Sequence, residues 1–315
     1  MVQRIAEFED EAEQTLTMTA FLEYYQLEPY SIYETGKSWS RLCCEAGKKT
    51  AWAEPDEDRL TKGLLRLAHA DSLSFLQFIV DSLGETTGLS SSQNSLGVMF
   101  YCDVWQTPSD RAKCSSWQQV VETFARNPAM RGEYLELASW CLDHISISSQ
   151  PVQLLFKSAL ELHRSYLRDE ILAGLGYYSW ESQPPQREGV LYLRDKNCDV
   201  LLVTLNKSEK DYSESTMYRD YAISDRLFHW QSQSTVSDSS PTGQRYIHQA
   251  ERRSTALLFV RENKQAHGIG APYYYLGPAT FVESEGSHPM NIVWKLEYAM
   301  PARLCMATKT LVVSE

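Results

Sequence analysis

The spacing of apolar residues changes along this chain, and that change limits the available folds more than any other feature. Before about residue 165, apolar positions recur three and four apart, the spacing that lines one face of an α-helix. From Gly189 onward they fall in short runs rich in β-branched and aromatic residues, the pattern of strands. A chain of 315 residues is long enough for two domains. The expectation is an α+β protein, with a helical bundle over 1–165 followed by a mostly-β unit over 166–315.

Within the first part, Ile5 to Leu27 places Phe8, Leu16, Phe21, Leu22 and Tyr25 in helix-like clusters. Ser38-Trp39-Ser40-Arg41-Leu42 reads as a short capped helix start. Pro55-Asp56-Glu57-Asp58 opens another helix, with proline early and acids in the first turn. A further helix over Leu73–Leu83 stops at Gly84, and the polar run to Asn94 reads as a loop. Leu96–Trp105 is a buried apolar element, and Ser116–Arg126 and Pro128–Ile145 are two more helices. A last helix, from about Val152 to Leu172, is expected to join the parts and to carry His163. These stripes are core, and no repeat of fixed period suggests a solenoid.

Strands are expected at Gly189–Leu193, Val200–Leu205, Leu227–Trp230, Arg245–Ile247, Thr255–Arg261, Tyr273–Leu276, Ala279–Val282 and Asn291–Tyr298. Turn signals at Asp195-Lys196-Asn197 and Glu285-Gly286-Ser287 bound several of them. Short strands with few helices suggest a curved sheet, closed or nearly closed.

Charge and cysteine content exclude several classes. The formal net charge is −11, which argues against a non-specific polyanion binder. Residues 1–165 carry 14 Lys and Arg against 23 Asp and Glu, whereas residues 166–315 carry 16 against 18. A nucleic acid would therefore meet the second part, through a shaped site more than through bulk charge. Seven cysteines without paired spacing suggest reduced thiols and a cytoplasmic location. No CxxC, HExxH or GxxxxGK[ST] pattern occurs, so neither a metal, a nucleotide nor any other cofactor is expected. No run approaches the roughly 18 apolar residues of a membrane span, and the acidic start does not read as a secretory signal.

The chemistry concentrates in Leu205–Ile247. Tyr212, Tyr218, Tyr221, Phe228, Trp230 and Tyr246 are interleaved there with Lys207, Lys210, Arg219, Arg226 and Arg245, beside the run Gln231-Ser232-Gln233-Ser234. Rings that stack on bases, cations that meet phosphates and amides that read base edges are what nucleic-acid recognition needs. Strand alternation puts Phe228 and Trp230 on one face, opposite Gln231, and Phe228 is assigned to the core. Any single ring here could equally be core. The set is harder to explain that way, because each polar group buried unpaired costs about 1–3 kcal/mol. An extruded cytosine needs stacked faces and an acceptor for its N4 amino group, which Asp220 could supply, with Gln231 at the other edge. Thr242-Gly243-Gln244-Arg245 reads either as a hairpin turn or as a loop that sets Arg245 on a phosphate or base.

The stretches LNKSEKDYSESTMYRDYAISDRLFHWQSQS, SPTGQRYI, LLFVRE and YYYLGPATF resemble the C-terminal domain behind superfamily II helicases in bacterial modification-dependent (type IV) restriction enzymes. In those enzymes a phospholipase D-type nuclease and a helicase come first. The resemblance covers roughly 165–305, and SWSRLCCEAG with the acidic helix after it is similar to their coupler segment. It implies an SRA-like curved barrel that flips a modified cytosine into an aromatic pocket. Tyr218, Asp220, Tyr221, Trp230, Gln231, Ser232 and Gln233 match the strongest motif; Tyr212 and Arg245 complete the candidate site. No helicase motor, Walker motif or nuclease HxK signature is present, so no catalytic residue is expected, and cleavage would belong to domains outside this chain.

The resulting expectation is a recognition module for phage defence. It would read 5-methylcytosine, or a relative, in double-stranded DNA, with helicase and nuclease domains as partners in cis or in trans. A glycosylase-like enzyme acting on the flipped base, or an adaptor that docks a helicase through the acidic helical part, are the alternatives.

Overall fold

The computed structural model describes residues 1–50, 53–84, 94–145, 152–206, 220–302 and 304–306. Helices come first: α1 Val2–Ala12, α2 Met18–Tyr25, α3 Tyr30–Tyr33, α4 Trp39–Glu45 and α5 Glu57–Leu67. They continue as α6 Leu73–Gly84, α7 Asn94–Val104, α8 Pro108–Arg111, α9 Trp117–Arg126 and α10 Pro128–Asp143. The strand-rich part then runs β1 Ser165–Tyr166, α11 Arg168–Gly174, β2 Val190–Leu193, β3 Cys198–Thr204, β4 Tyr221–Ala222 and β5 Leu227–Gln231. After α12 Pro241–Ile247 and α13 Gln249–Arg252 come β6 Thr255–Arg261, β7 Gln265–Ala266, β8 Ile269–Gly270, β9 Tyr273–Glu285 and β10 Asn291–Leu296.

The chain is α+β as expected, and local start signals placed three of the helices. Ser38 and Ser116 each accept a first-turn N–H, from Arg41 and Gln119. The acids after Pro55 begin α5. Remote carboxylates do the same for other helices. Glu136 of α10 accepts the Met18 and Thr19 N–H groups at 2.8 and 3.2 Å. Glu54 accepts those of Ala129 and Met130 at the start of α10, and Glu161 those of Leu73 and Ser74 at the start of α6. Buried Glu133 accepts Trp39 and Ser40 N–H at 2.6 and 3.0 Å. Burial raises the Glu133 carboxyl to about 6 although these donors pull the other way. In each case an anion meets the positive end of a helix whose N–H groups have no partner within the helix.

One sheet follows the order β2-β3-β6-β9-β10-β5-β4, with β1 attached to β9. Only the β3–β6 pair is parallel; the others are antiparallel. Every residue of β3 is buried, because this end of the sheet has a core on each side. Val200, Leu202, Leu257, Phe259, Tyr273 and Tyr275 face the core of the helical part. Leu201, Val203, Leu258, Val260 and Leu276 face a second core, with Phe228, Trp230, Tyr246, Ile292 and Trp294. Strands buried on both faces read as continuous apolar runs, as in CDVLLVT.

Several expectations are corrected. Among the described residues β2 and β4 do not pair, so the sheet is open and not a closed barrel. The helix expected over Val152–Leu172 is absent except for α11. Instead, His163 takes φ 58° and donates its N–H to Tyr275 O at 2.9 Å, and Tyr275 N–H returns a bond to Arg164 O. The edge of β9 offers a ladder here that outweighs local helical spacing. Arg245–Ile247 is helical within α12, because Ser240 caps Gly243 N–H and Pro241 fills the first position. Tyr273–Leu276 and Ala279–Val282 are one long strand, β9. Most of the polar run between Gly84 and Asn94 lies outside the described residues.

Glu133→Ala leaves two buried helix-start N–H groups without an acceptor, and is expected to destabilise the protein by about 2–4 kcal/mol. Glu133→Gln, which keeps one acceptor oxygen, should lose less than half of that. Urea midpoints at unchanged m-value measure both. A neutral Ala variant would show that the cap contributes nothing.

Candidate functional site

The candidate residues gather around β5 because alternation divides its side chains between two faces. Phe228 and Trp230 point into the second core, as the sequence predicts for Phe228. Trp230 is 5% exposed and meets Tyr246 at 5.6 Å between centroids, and Trp294 at 6.4 Å. Trp230 is therefore a core ring on the face opposite Tyr221 and Gln231. The period that buries Phe228 buries Trp230 with it.

Tyr221, His229 and Gln231 lie on the opposite face and are half-buried. Tyr221 pairs with His229 across β4 and β5, and their rings stack at 4.7 Å with 16° between planes. His229 in turn pairs with Val293, and Gln231 with Asn291, on β10. Gln231 Nε2 donates to Asn291 Oδ1 at 2.6 Å, and the Gln231 N–H donates to Asp220 Oδ1 at 2.8 Å. The turn that brings β4 onto β5 is set by Ser224, whose Oγ accepts the N–H groups of Arg226 and Leu227. Asp220, Tyr221 and Gln231 are thus brought together, joined by His229 and Asn291, which the sequence reading did not select. His229 was legible, since it shares the parity of Gln231; Asn291 carries no local signal.

The remaining candidates do other work. Ser232 is fully buried. Its N–H donates to Met290 O and its Oγ accepts Met290 N–H, both at 2.9 Å, closing the end of the β5–β10 pair. Gln233 Nε2 donates to Glu188 Oε2 at 3.1 Å. Arg245 forms a two-pronged pair with Asp199 at 2.7 and 2.8 Å and lies 3.9 Å over the Tyr192 ring. It belongs to the β2–β3 end of the sheet, away from Tyr221. Burial lifts the Asp199 carboxyl above its usual range, and the Arg245 guanidinium draws it part of the way back. Tyr212 and Tyr218 lie outside the described residues.

Chemically, the Tyr221 face offers one stacked aromatic pair and two amides, and the buried Asp220 carboxylate, 7% exposed, stands next to it in the chain. Glu283 and Glu285 sit opposite Val293 and Asn291 on β9, so the face is not cationic. It is suited to a flat polar ring more than to a phosphate. Among the described residues no group of three His, Cys, Asp or Glu side chains could hold a metal ion, and no helix is long and apolar enough to cross a membrane.

Arg245→Ala should destabilise the fold by about 3–5 kcal/mol, because Asp199 is left charged and buried without its partner. The double variant Asp199→Asn/Arg245→Gln should recover part of that loss. Chemical denaturation of the wild type, Asp199→Asn, Arg245→Gln and the double variant measures the coupling. Additive losses would argue that the pair contributes no specific interaction.

Residues 160–306 match the model of a family described as a domain of unknown function (DUF3427). The match begins just before β1 and takes in the whole sheet, leaving most of the helical part outside it. No curated protein matches the chain.

Proposed function

We propose that the sheet-bearing part is a recognition module for a nucleobase, and that its target is a modified cytosine turned out of duplex DNA. The observation that carries the reading is the stacked, half-exposed Tyr221–His229 pair on a sheet face beside Asp220, Gln231 and Asn291. Sheet faces that present aromatic rings next to hydrogen-bonding side chains hold unstacked bases, at about 1–3 kcal/mol for each base stacked. The Asp220 carboxylate and the two amides supply the acceptor and donor types that a cytosine edge requires. The choice of cytosine and of duplex DNA follows the resemblance of residues 165–305 to the recognition domain of type IV restriction enzymes. In that setting nuclease and helicase domains are the partners, and the helical part is the coupler.

Two features shape the proposal. The base is placed on the open Tyr221 face, so no closed barrel is needed and Trp230 keeps a structural task. The acidic surroundings make the affinity depend weakly on salt, because few phosphate counterions are released.

Equilibrium binding to duplexes carrying cytosine, methylcytosine, hydroxymethylcytosine or glucosylated cytosine tests the reading. One modified duplex is expected to bind about tenfold to a few hundredfold more tightly than the unmodified one. Tyr221→Ala should weaken that complex by about 5- to 150-fold, the equivalent of one lost stack, and leave unmodified DNA nearly unaffected. Equal affinity for all four duplexes, or equal loss on all of them, would sink the proposal. Release of free base would favour the glycosylase-like enzyme.

A further inference from the structure

A buried polar cluster joins the sheet-bearing part to the helical part. Glu170 lies in the first turn of α11 and is fully buried; its Oε2 accepts the Leu167 N–H at 2.5 Å. The same oxygen lies 3.1 Å from His69 Nε2, which comes from the end of α5. His69 Nδ1 lies 2.5 Å from the Arg66 carbonyl oxygen. That carbonyl can only accept, so Nδ1 carries a hydrogen. A neutral His69 would then present a bare Nε2 lone pair to a carboxylate, two acceptors face to face. The contact requires one proton between them, on either group.

A second carboxyl repeats the requirement. Asp103 of α7 is 1% exposed, and its Oδ1 accepts from Arg66 Nε at 3.3 Å. Asp103 Oδ2 and Glu170 Oε1 are shut off from solvent, and the two carboxyls act on each other. Two neighbouring buried carboxyls cannot both be ionised at low cost. Burial and then Glu170 hold Asp103 well above its usual range. Burial raises Glu170 to about 7, against the pull of Asp103, the Leu167 N–H and Arg66. The other charges on the cluster are Asp71 before α6, Asp169 of α11, and Arg111, which holds Asp169 at 2.6 Å. Burial lowers the His69 imidazole, so the shared proton resides mainly on the carboxyl side.

A second contact crosses the parts. His267, between β7 and β8, stacks on Tyr30 of α3 at 3.7 Å, and its Nδ1 meets Glu34.

We propose that the sheet-bearing part is latched to the helical part by protons held among His69, Glu170 and Asp103, and that the latch loosens as pH rises past neutrality. The sign follows from linkage. Asp103 and Glu170 bind protons in the docked state at pH values where the unfolded chain has released them. Their stabilisation is complete below the ordinary carboxylate range and is lost as pH rises through the docked-state values. His69 acts oppositely, but its effect ends near its ordinary value of about 6.5. Above that only the carboxyl terms remain.

Amide hydrogen exchange of the full chain at pH 6, 7 and 8, corrected for intrinsic rates, tests the latch. Protection of α7 and α11 is expected to fall between pH 7 and 8, by about twofold for Glu170, which titrates near 7, and by no more than about tenfold for each further proton released. Protection of α10 should stay constant. Glu170→Gln, which leaves Asp103 as the remaining titrating carboxyl, should reduce the pH dependence, and Asp103→Asn/Glu170→Gln should abolish it. Should those variants fail to fold, the wild-type comparison decides alone. Equal protection of α7 and α11 across the range, or a fall shared equally by α10, overturns the proposal. DNA is absent from this experiment, so its outcome is independent of the nucleobase reading.

Discussion

Burial of β3 and β6 on both faces is the constraint from which the rest of this architecture follows. A strand whose successive side chains all find apolar partners cannot sit in the wall of a small barrel with solvent outside it. One face must be covered by something else, and here it shares one core with the helical part, with α11 packed against α7. The requirement explains why the core of the helices runs without a break into Val200, Leu202, Leu257 and Phe259. It also explains why polar groups that meet at the joint are sealed from water. Asp103, Glu170 and His69 are the consequence of closing a layer over a sheet with charged residues still inside, where desolvation raises carboxyls and makes protons part of the packing.

The acidic balance of the first part has a structural use. Glu54, Glu133, Glu136 and Glu161 each accept two backbone N–H groups at the start of a helix distant in sequence. Such contacts do two things that a local serine cap does not. They satisfy a pair of donors at once, and they fix where one helix stands relative to another. A carboxylate placed this way is a tertiary contact with a helix-dipole component, worth more when shielded from salt. Charge that looks like a solvated surface in the sequence is therefore partly internal wiring. The overall value of −11 overstates the free negative charge available to repel a polyanion.

What the sequence made legible was whatever is decided within a few residues. Pro55 and the acids after it, Ser38 and Ser116 announce helices because caps are local, and period-2 alternation in Leu227–Gln231 sorted Phe228 from Gln231. The same alternation also sorted Trp230 to the inside and His229 to the outside. Contacts between distant elements were hidden. Residues 152–164 carry helical spacing, but β9 supplies a hydrogen-bond ladder. Arg245 looks like a phosphate contact until Asp199, some forty-six positions earlier, occupies its guanidinium. One signal was present and unused: a single Asp103 inside the apolar run LGVMFYCDVW must meet a partner or a proton.

Strand β9 shows why the Tyr221 face stays open although the other end of the same sheet face is covered. Its pairing with β6 slips between Leu258 and Phe259, and its pairing with β10 slips between Val293 and Trp294. Each slip gives β9 one extra residue, which bends the strand and increases its local twist. Gly277 stands beside the first slip at φ +90°, where a Cβ would come within 2.7 Å of Leu162 Cδ1. Only glycine permits that bend with Leu162 packed against it. After the second slip, Val282 is 47% exposed and the strand leads away from the helical layer. The sheet is thus bent out of its own cover, and β10, β5 and β4 keep a core on one side only. The open face is a consequence of how β9 curves, which is why residues as different as Tyr221, His229, Gln231 and Asn291 share one half-exposed surface.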